Sequence, residues 1–266
     1  MTVAQRRFTA AAALIAVAIV AALGLVERGD GSPARPAIAT NPGDLAAQIT
    51  ANDTALRQAI DTWRAAGDPP TADAPPEVMG PALFVQDVSR YLGAHPKLTK
   101  PTLRLLPGRL ASQIKQFAAV ARKLRKLGGA KKKLKTGAPP PLSELLSHYG
   151  DAKRGHGIHR HYLAAIHLVE TKFGRVKSNS TAGAQGPMQF IPSTWKIYGR
   201  GGNIRDPHDA ILAAARLLRD NGAPGSYARA LYAYNPSKLY VFSVGAYAKV
   251  IASDPYAIYF LYCWGP

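Results

Sequence analysis

A mostly α-helical protein built of several short helices is predicted by two features of the sequence. Apolar residues recur at three-, four- and seven-residue spacings, and helix starts and stops follow one another closely through the last 120 or so positions. With 266 residues, 47% hydrophobic and 19% charged, the chain can bury one good core with smaller attachments.

Residues 1–28 form the first element. Arg6 and Arg7 precede Phe8 to Val26, nineteen uncharged and mostly apolar residues, and Glu27 and Arg28 close the run. That length lies between the core of a signal peptide and a full membrane span of about 20 residues, so the segment reads as a signal anchor or signal peptide. The basic flank keeps the N-terminus in the cytoplasm and sends everything after residue 28 across the membrane. Residues 29–42, rich in Gly, Pro, Ala and Ser, read as a linker. Ala37-Ile38-Ala39 within it fits a small-x-small cleavage site.

Residues 43–136 read as a small basic helical module. Leu45, Ile49, Leu56, Ile60 and Trp63 mark one helix, Phe84, Val88, Tyr91 and Leu92 a second and shorter one, and Leu110, Ile114, Phe117, Ala121 and Leu124 a third. Between Lys97 and Lys135 stand thirteen Lys or Arg and no acidic residue, which supplies most of the net charge of +18. A block of one sign is an electrostatic foot for a polyanion. Export makes anionic lipid or wall polymer the partner of Lys97–Lys135, with the membrane also held through the N-terminal helix, and makes nucleic acid unlikely.

Residues 137–266 carry the chemistry. Asp206-Pro207 opens a helix as cap and first residue and Asn221-Gly222 closes it, while Ser226 and Ser237 cap two more. The aromatic run Tyr256 to Trp264 reads as a short strand or ribbon. In the helix through His161, Leu163 and Ile166, Glu170 stands at i+7 from Leu163 and shares the apolar face. Burial there disfavours the charged carboxylate and raises its pKa, as a general acid working near neutrality requires. A glutamate at a helix end is otherwise a solvated or salt-bridged residue, so the context decides. After Glu170 there is no other glutamate and only four aspartates: Asp206, Asp209, Asp220 and Asp254. Helix capping accounts for the first two, and no second carboxylate of a paired-carboxylate glycosidase is apparent.

The single cysteine, Cys263, excludes a disulfide framework and a thiolate zinc site, and reads as a buried hydrophobe among aromatics. Gly199 to Arg205 lacks the carboxylates of a calcium loop. No cofactor and no metal are expected.

Three ordered motifs carry a resemblance. Val169-Glu170-Thr171-Lys172-Phe173-Gly174-Arg175, then Ser180 through Gly186-Pro187-Met188-Gln189-Phe190 to Trp195, then Ala233-Tyr234-Asn235 resemble the lytic transglycosylases, nearest the membrane-bound lytic transglycosylase B group and its soluble relatives. The resemblance covers residues 142 to 252 and implies a lysozyme-like fold acting on peptidoglycan outside the cytoplasm. It further implies cleavage of the bond between N-acetylmuramic acid and N-acetylglucosamine with a 1,6-anhydro product. By the same resemblance Glu170 is the catalytic acid and base, while Ser180, Met188, Gln189, Tyr234 and Asn235 bind substrate. Met188 could equally be core, and Tyr234-Asn235 before Pro236 could be a plain helix end. A hydrolytic muramidase of the same fold, or a non-catalytic wall-binding protein, remains the alternative.

Overall fold

The computed structural model describes residues 36–67, 74–126 and 134–265. The apolar N-terminal segment and Lys131 to Lys133 lie outside the described residues. Among those described there are eleven α-helices, no strand longer than an isolated bridge, and no helix long and apolar enough to cross a membrane.

Prolines set many of the starts. Helices α1 (Pro42–Ala65), α2 (Pro76–Ala94), α3 (Pro96–Leu105), α7 (Pro192–Tyr198) and α8 (Pro207–Asp220) each open on a proline, which has no N–H to leave unpaired there. Side-chain caps fix others. Asn41 Oδ1 accepts from Asp44 N at 2.9 Å and Asp206 Oδ1 from Asp209 N at 2.9 Å. Ser226 and Ser237 cap α9 (Tyr227–Tyr234) and α10 (Lys238–Ser253) as their spacing predicts. The remaining helices are α4 (Gly108–Arg125), α5 (Leu142–His156), α6 (Arg160–Thr171) and α11 (Ala257–Tyr262).

Two differences from the sequence reading have physical causes. The second helix starts at Pro76, eight residues before Phe84, and α3 follows it, because Lys97, Lys100 and Arg104 hide a helix that buries Thr102 and packs Leu98 and Leu103 on the core. The run at Tyr256–Trp264 is a helix and not a ribbon. Its residues meet neighbours on two sides: Tyr259 and Tyr262 against Trp63, Phe260 and Trp264 against Phe117. Contacts spaced three and four apart are helical, but burial all round leaves no polar stripe to read.

One hydrophobic cluster runs through the described chain. Helix α2 packs on α4, α10 lies between α4 and α6, and α8 packs against α5 and α9. The basic helices therefore share a core with the helices that carry Glu170. An ionic network at the surface of that core joins them again: Asp254, at the end of α10, pairs with Arg57 of α1 and, at 3.0 Å, with Arg109 of α4.

Candidate active site

Helix α6 delivers Glu170 in its last turn with 7% of its surface exposed, on the buried face that Leu163 and Ile166 share. The helix then stops abruptly. Lys172, Phe173 and Gly174 have φ of 54°, 59° and 86°, a left-handed run that costs roughly 1–2 kcal/mol at each non-glycine position. Strain of this kind persists only where the surroundings impose it, as they do at functional sites.

Thr171 supplies part of that imposition. Its buried hydroxyl accepts from Gly174 N at 2.9 Å and donates to Pro187 O at 2.6 Å, so the end of α6 is bolted to the loop Gln185–Phe190. That loop is a tight hairpin: Gln185 and Phe190 exchange two backbone hydrogen bonds of 2.9 Å, and between them Gly186 and Gln189 take φ of 73° and 51°. Gln189 Nε2 donates to Gly186 O at 3.0 Å, which holds the half-buried amide over its own loop.

Two phenols close the site. Tyr234, in the last turn of α9, donates to Met188 O at 2.6 Å, and its ring stacks on that of Tyr240 of α10 with centroids 6.0 Å apart. Phe190 meets Tyr234 edge-on at 5.8 Å. Loop, α9 and α10 thus converge on the end of α6.

The electrostatics follow from burial. Removal from water pushes the Glu170 carboxyl from 4.5 up to about 8, opposed only by the Tyr240 hydroxyl, which favours the carboxylate. That hydroxyl lies near enough to act on the charge, yet outside hydrogen-bond geometry with any atom of the described residues. No other carboxylate contributes to the shift. Desolvation first, and the Glu170 charge second, drive the Tyr234 and Tyr240 phenols well above their ordinary value, so both remain donors. Glu170 is protonated at neutral pH and can give a proton to a group placed against it.

The four later aspartates are occupied elsewhere. Asp206 caps α8, Asp209 accepts from Asn203 N at 2.8 Å, Asp220 lies exposed beside Arg219, and Asp254 pairs with two arginines.

The expected residues fall in different places. Tyr234 lies within the field of the Glu170 charge, which raises its phenol, and Gln189 stands in the bolted loop. The Met188 side chain is fully buried, so it belongs to the core and meets the site through its carbonyl. Asn235 is buried at the foot of α9 with Oδ1 unpartnered, one of few such atoms in the described chain. A buried acceptor without a partner is a seat for a hydroxyl or a water. Ser180 closes a neighbouring turn, its Oγ accepting from Ala184 N at 2.9 Å. Sequence reasoning missed Tyr240 as a site residue. The signal was a phenol on the inward face of a helix, whose hydroxyl needs a polar neighbour when buried.

Comparison with curated proteins and with solved structures gives no match. A family model does match: residues 148–249 correspond to the transglycosylase SLT domain. That stretch contains Glu170, its bolted loop and both phenols, and it is similar to the transglycosylase SLT domain, the domain of the lysozyme-like lytic transglycosylases that act on peptidoglycan.

Proposed function

We propose that this domain cleaves the bond between N-acetylmuramic acid and N-acetylglucosamine without water, leaving a 1,6-anhydromuramoyl end. The observation that carries the reading is a lone buried carboxyl, protonated at neutral pH, with no second carboxylate acting on it. A hydrolase with paired carboxylates needs the second to position water or to attack. Here the sugar's own 6-hydroxyl fills that role. Glu170 gives its proton to the glycosidic oxygen as the C1–O bond breaks. The resulting carboxylate then takes the proton of the 6-hydroxyl as O6 bonds to C1, so the acid is regenerated and no water is consumed. Proximity of an intramolecular hydroxyl supplies part of the rate.

In this reading Tyr240 steadies the carboxylate between the two transfers. Ser180, Gln189 and Asn235 bind the sugars, and Met188 contributes only the carbonyl that fixes Tyr234. Mass spectrometry of digested peptidoglycan tests the chemistry: anhydromuramoyl ends are expected, and reducing ends alone would make the protein a hydrolytic muramidase. The likeness to the membrane-bound B group, the boundary near residue 137, the N-terminal anchor and the binding of residues 97–135 to anionic lipid or wall polymer belong to the same proposal. In its support, α4 carries Arg122, Lys123 and Arg125 in its last turn, where their charge also suits the helix dipole.

The loop geometry makes a sharper prediction. A Cβ at Gly186 would lie 1.8 Å from Ile204 O, a backbone atom, whereas one at Gly183 (φ 81°) meets nothing within 4 Å. Gly183→Ala should lose about 1 kcal/mol from its backbone conformation alone. Gly186→Ala should lose more and slow peptidoglycan cleavage at least roughly tenfold, since an error near 1 Å in a positioning loop can cost about a hundredfold. Melting curves and release of soluble muropeptides from the two variants check this, and equal effects would sink it.

A further inference from the structure

Away from Glu170, metal-ligating side chains meet where α5 faces the start of α8. Glu144, His148 and Asp151 stand at i, i+4 and i+7 of α5 and so share one face. His208 is the second residue of α8, a helix that packs against α5 and whose first turn is fixed by the Asp206 cap. One possible ligand atom from each of His148, Asp151 and His208 lies within 4.8 Å of the other two.

One edge of this triangle is already at the spacing of a coordination shell, and the other two, within 4.8 Å, need side-chain movement to close. Asp151 Oδ2 is 3.3 Å from His208 Nε2. Two donors about 2.0–2.1 Å from a tetrahedral zinc ion stand roughly 3.3–3.4 Å apart, so this edge is already at the required spacing. The imidazoles of His148 and His208 have centroids 4.7 Å apart at 48°. Arg154 holds the other oxygen of Asp151, which leaves Oδ2 facing His208. Glu144 Oε1 lies 3.2 Å from His148 Nε2, where a carboxylate orients a ligating imidazole.

We propose that His148, Asp151 and His208 bind a single dication of the zinc class, with Glu144 as the outer carboxylate and solvent completing the shell. Two imidazoles with one carboxylate favour such an ion over calcium or magnesium, which take oxygen donors. The ion clamps α5 to α8. Its influence extends inward, because Tyr149, next to His148, hydrogen-bonds through its hydroxyl to His167 Nδ1 at 2.8 Å, three residues before Glu170 on α6.

The test uses the full chain stripped of metal and titrated with Zn²⁺ by calorimetry and thermal melting. One Zn²⁺ per chain is expected, with a melting temperature that climbs as free Zn²⁺ rises above the dissociation constant. His148→Ala and His208→Ala should each weaken binding tenfold or more, Glu144→Gln by about tenfold, and His161→Ala not at all. Because the ligands are half-exposed, metal-free variants should melt with the metal-free parent. Co²⁺ added to the unmodified protein gives a second readout, expected as the strong visible bands of a low-coordinate site. Equal Zn²⁺ affinity in the parent and in the His148→Ala, His208→Ala double variant would overturn the assignment, as would Co²⁺ spectra of the hydrated ion alone.

Discussion

Glu170→Gln is expected to abolish turnover and to make the folded protein more stable at alkaline pH. A positioned general acid or base contributes about 10²–10⁴ to a rate, and Glu170 is proposed to serve in both steps, so residual cleavage should fall by at least roughly 10³. The stability gain has a separate origin. In the fold the carboxyl titrates near 8 against an ordinary 4.5, so between these values the native state holds a proton that the unfolded chain has released. Stability contributed by the protonated acid is complete below the lower value. It drains as pH rises, at about 1.4 kcal/mol per pH unit, until the native carboxyl has ionised above 8. A glutamine of the same shape has no proton to lose. Parent and variant should therefore unfold alike near pH 4.5 and diverge by a few kcal/mol near pH 8.5, measured by denaturant titration. Parallel pH curves would show that the carboxyl is not held in its neutral form, and retained cleavage would remove Glu170 from the chemistry. In the unmodified protein, kcat/KM on short glycan strands is expected to hold up to about pH 8 and fall beyond it.

What the sequence made legible here is what depends on near neighbours. The caps at Asp206, Ser226 and Ser237 act across three residues, and each starts a helix where its position implies. The inward aim of Glu170 follows from the periodicity of its own helix. By contrast, Tyr240 reaches Glu170 only because α10 packs across α6, a placement seventy positions away along the chain. Thr171 could be read as a variant of a motif, but not as the bolt between α6 and the carbonyl of Pro187, because a backbone acceptor has no residue type to recognise. Met188 illustrates the same blindness: its side chain packs and its carbonyl works. The cluster at His148, Asp151 and His208 was not read from the sequence, because its third member arrives from α8, sixty positions from His148.

The largest effect on the fold is expected at Asp254, an aspartate that looked incidental before a proline. It is 2% exposed, receives Arg57 of α1 and Arg109 of α4, and accepts from Tyr256 N at 3.1 Å. Removing one partner of a buried ion pair costs about 3–5 kcal/mol because the other charge is stranded. Here the arginine side chains are 23% and 39% exposed and both also reach Asp53, so solvent and a second partner soften the loss. Asp254→Ala should then cost about 2–3 kcal/mol, which lowers the melting temperature by roughly 5–10 °C for a chain of this size. Asp254→Asn retains an acceptor for Tyr256 N, so the difference between the two variants isolates that hydrogen bond from the charge. The position of Asp254 determines how the molecule comes apart. It joins the end of α10 to both α1 and α4, beside the packing of α10 on α4 and of Trp264 on Phe117. Weakening that seam should broaden a single unfolding transition, with the basic helices loosening before those around Glu170. A melt within 1–2 °C of the parent, equally sharp by near-ultraviolet and far-ultraviolet circular dichroism, would show that the shared hydrophobic cluster alone holds the basic helices to those around Glu170.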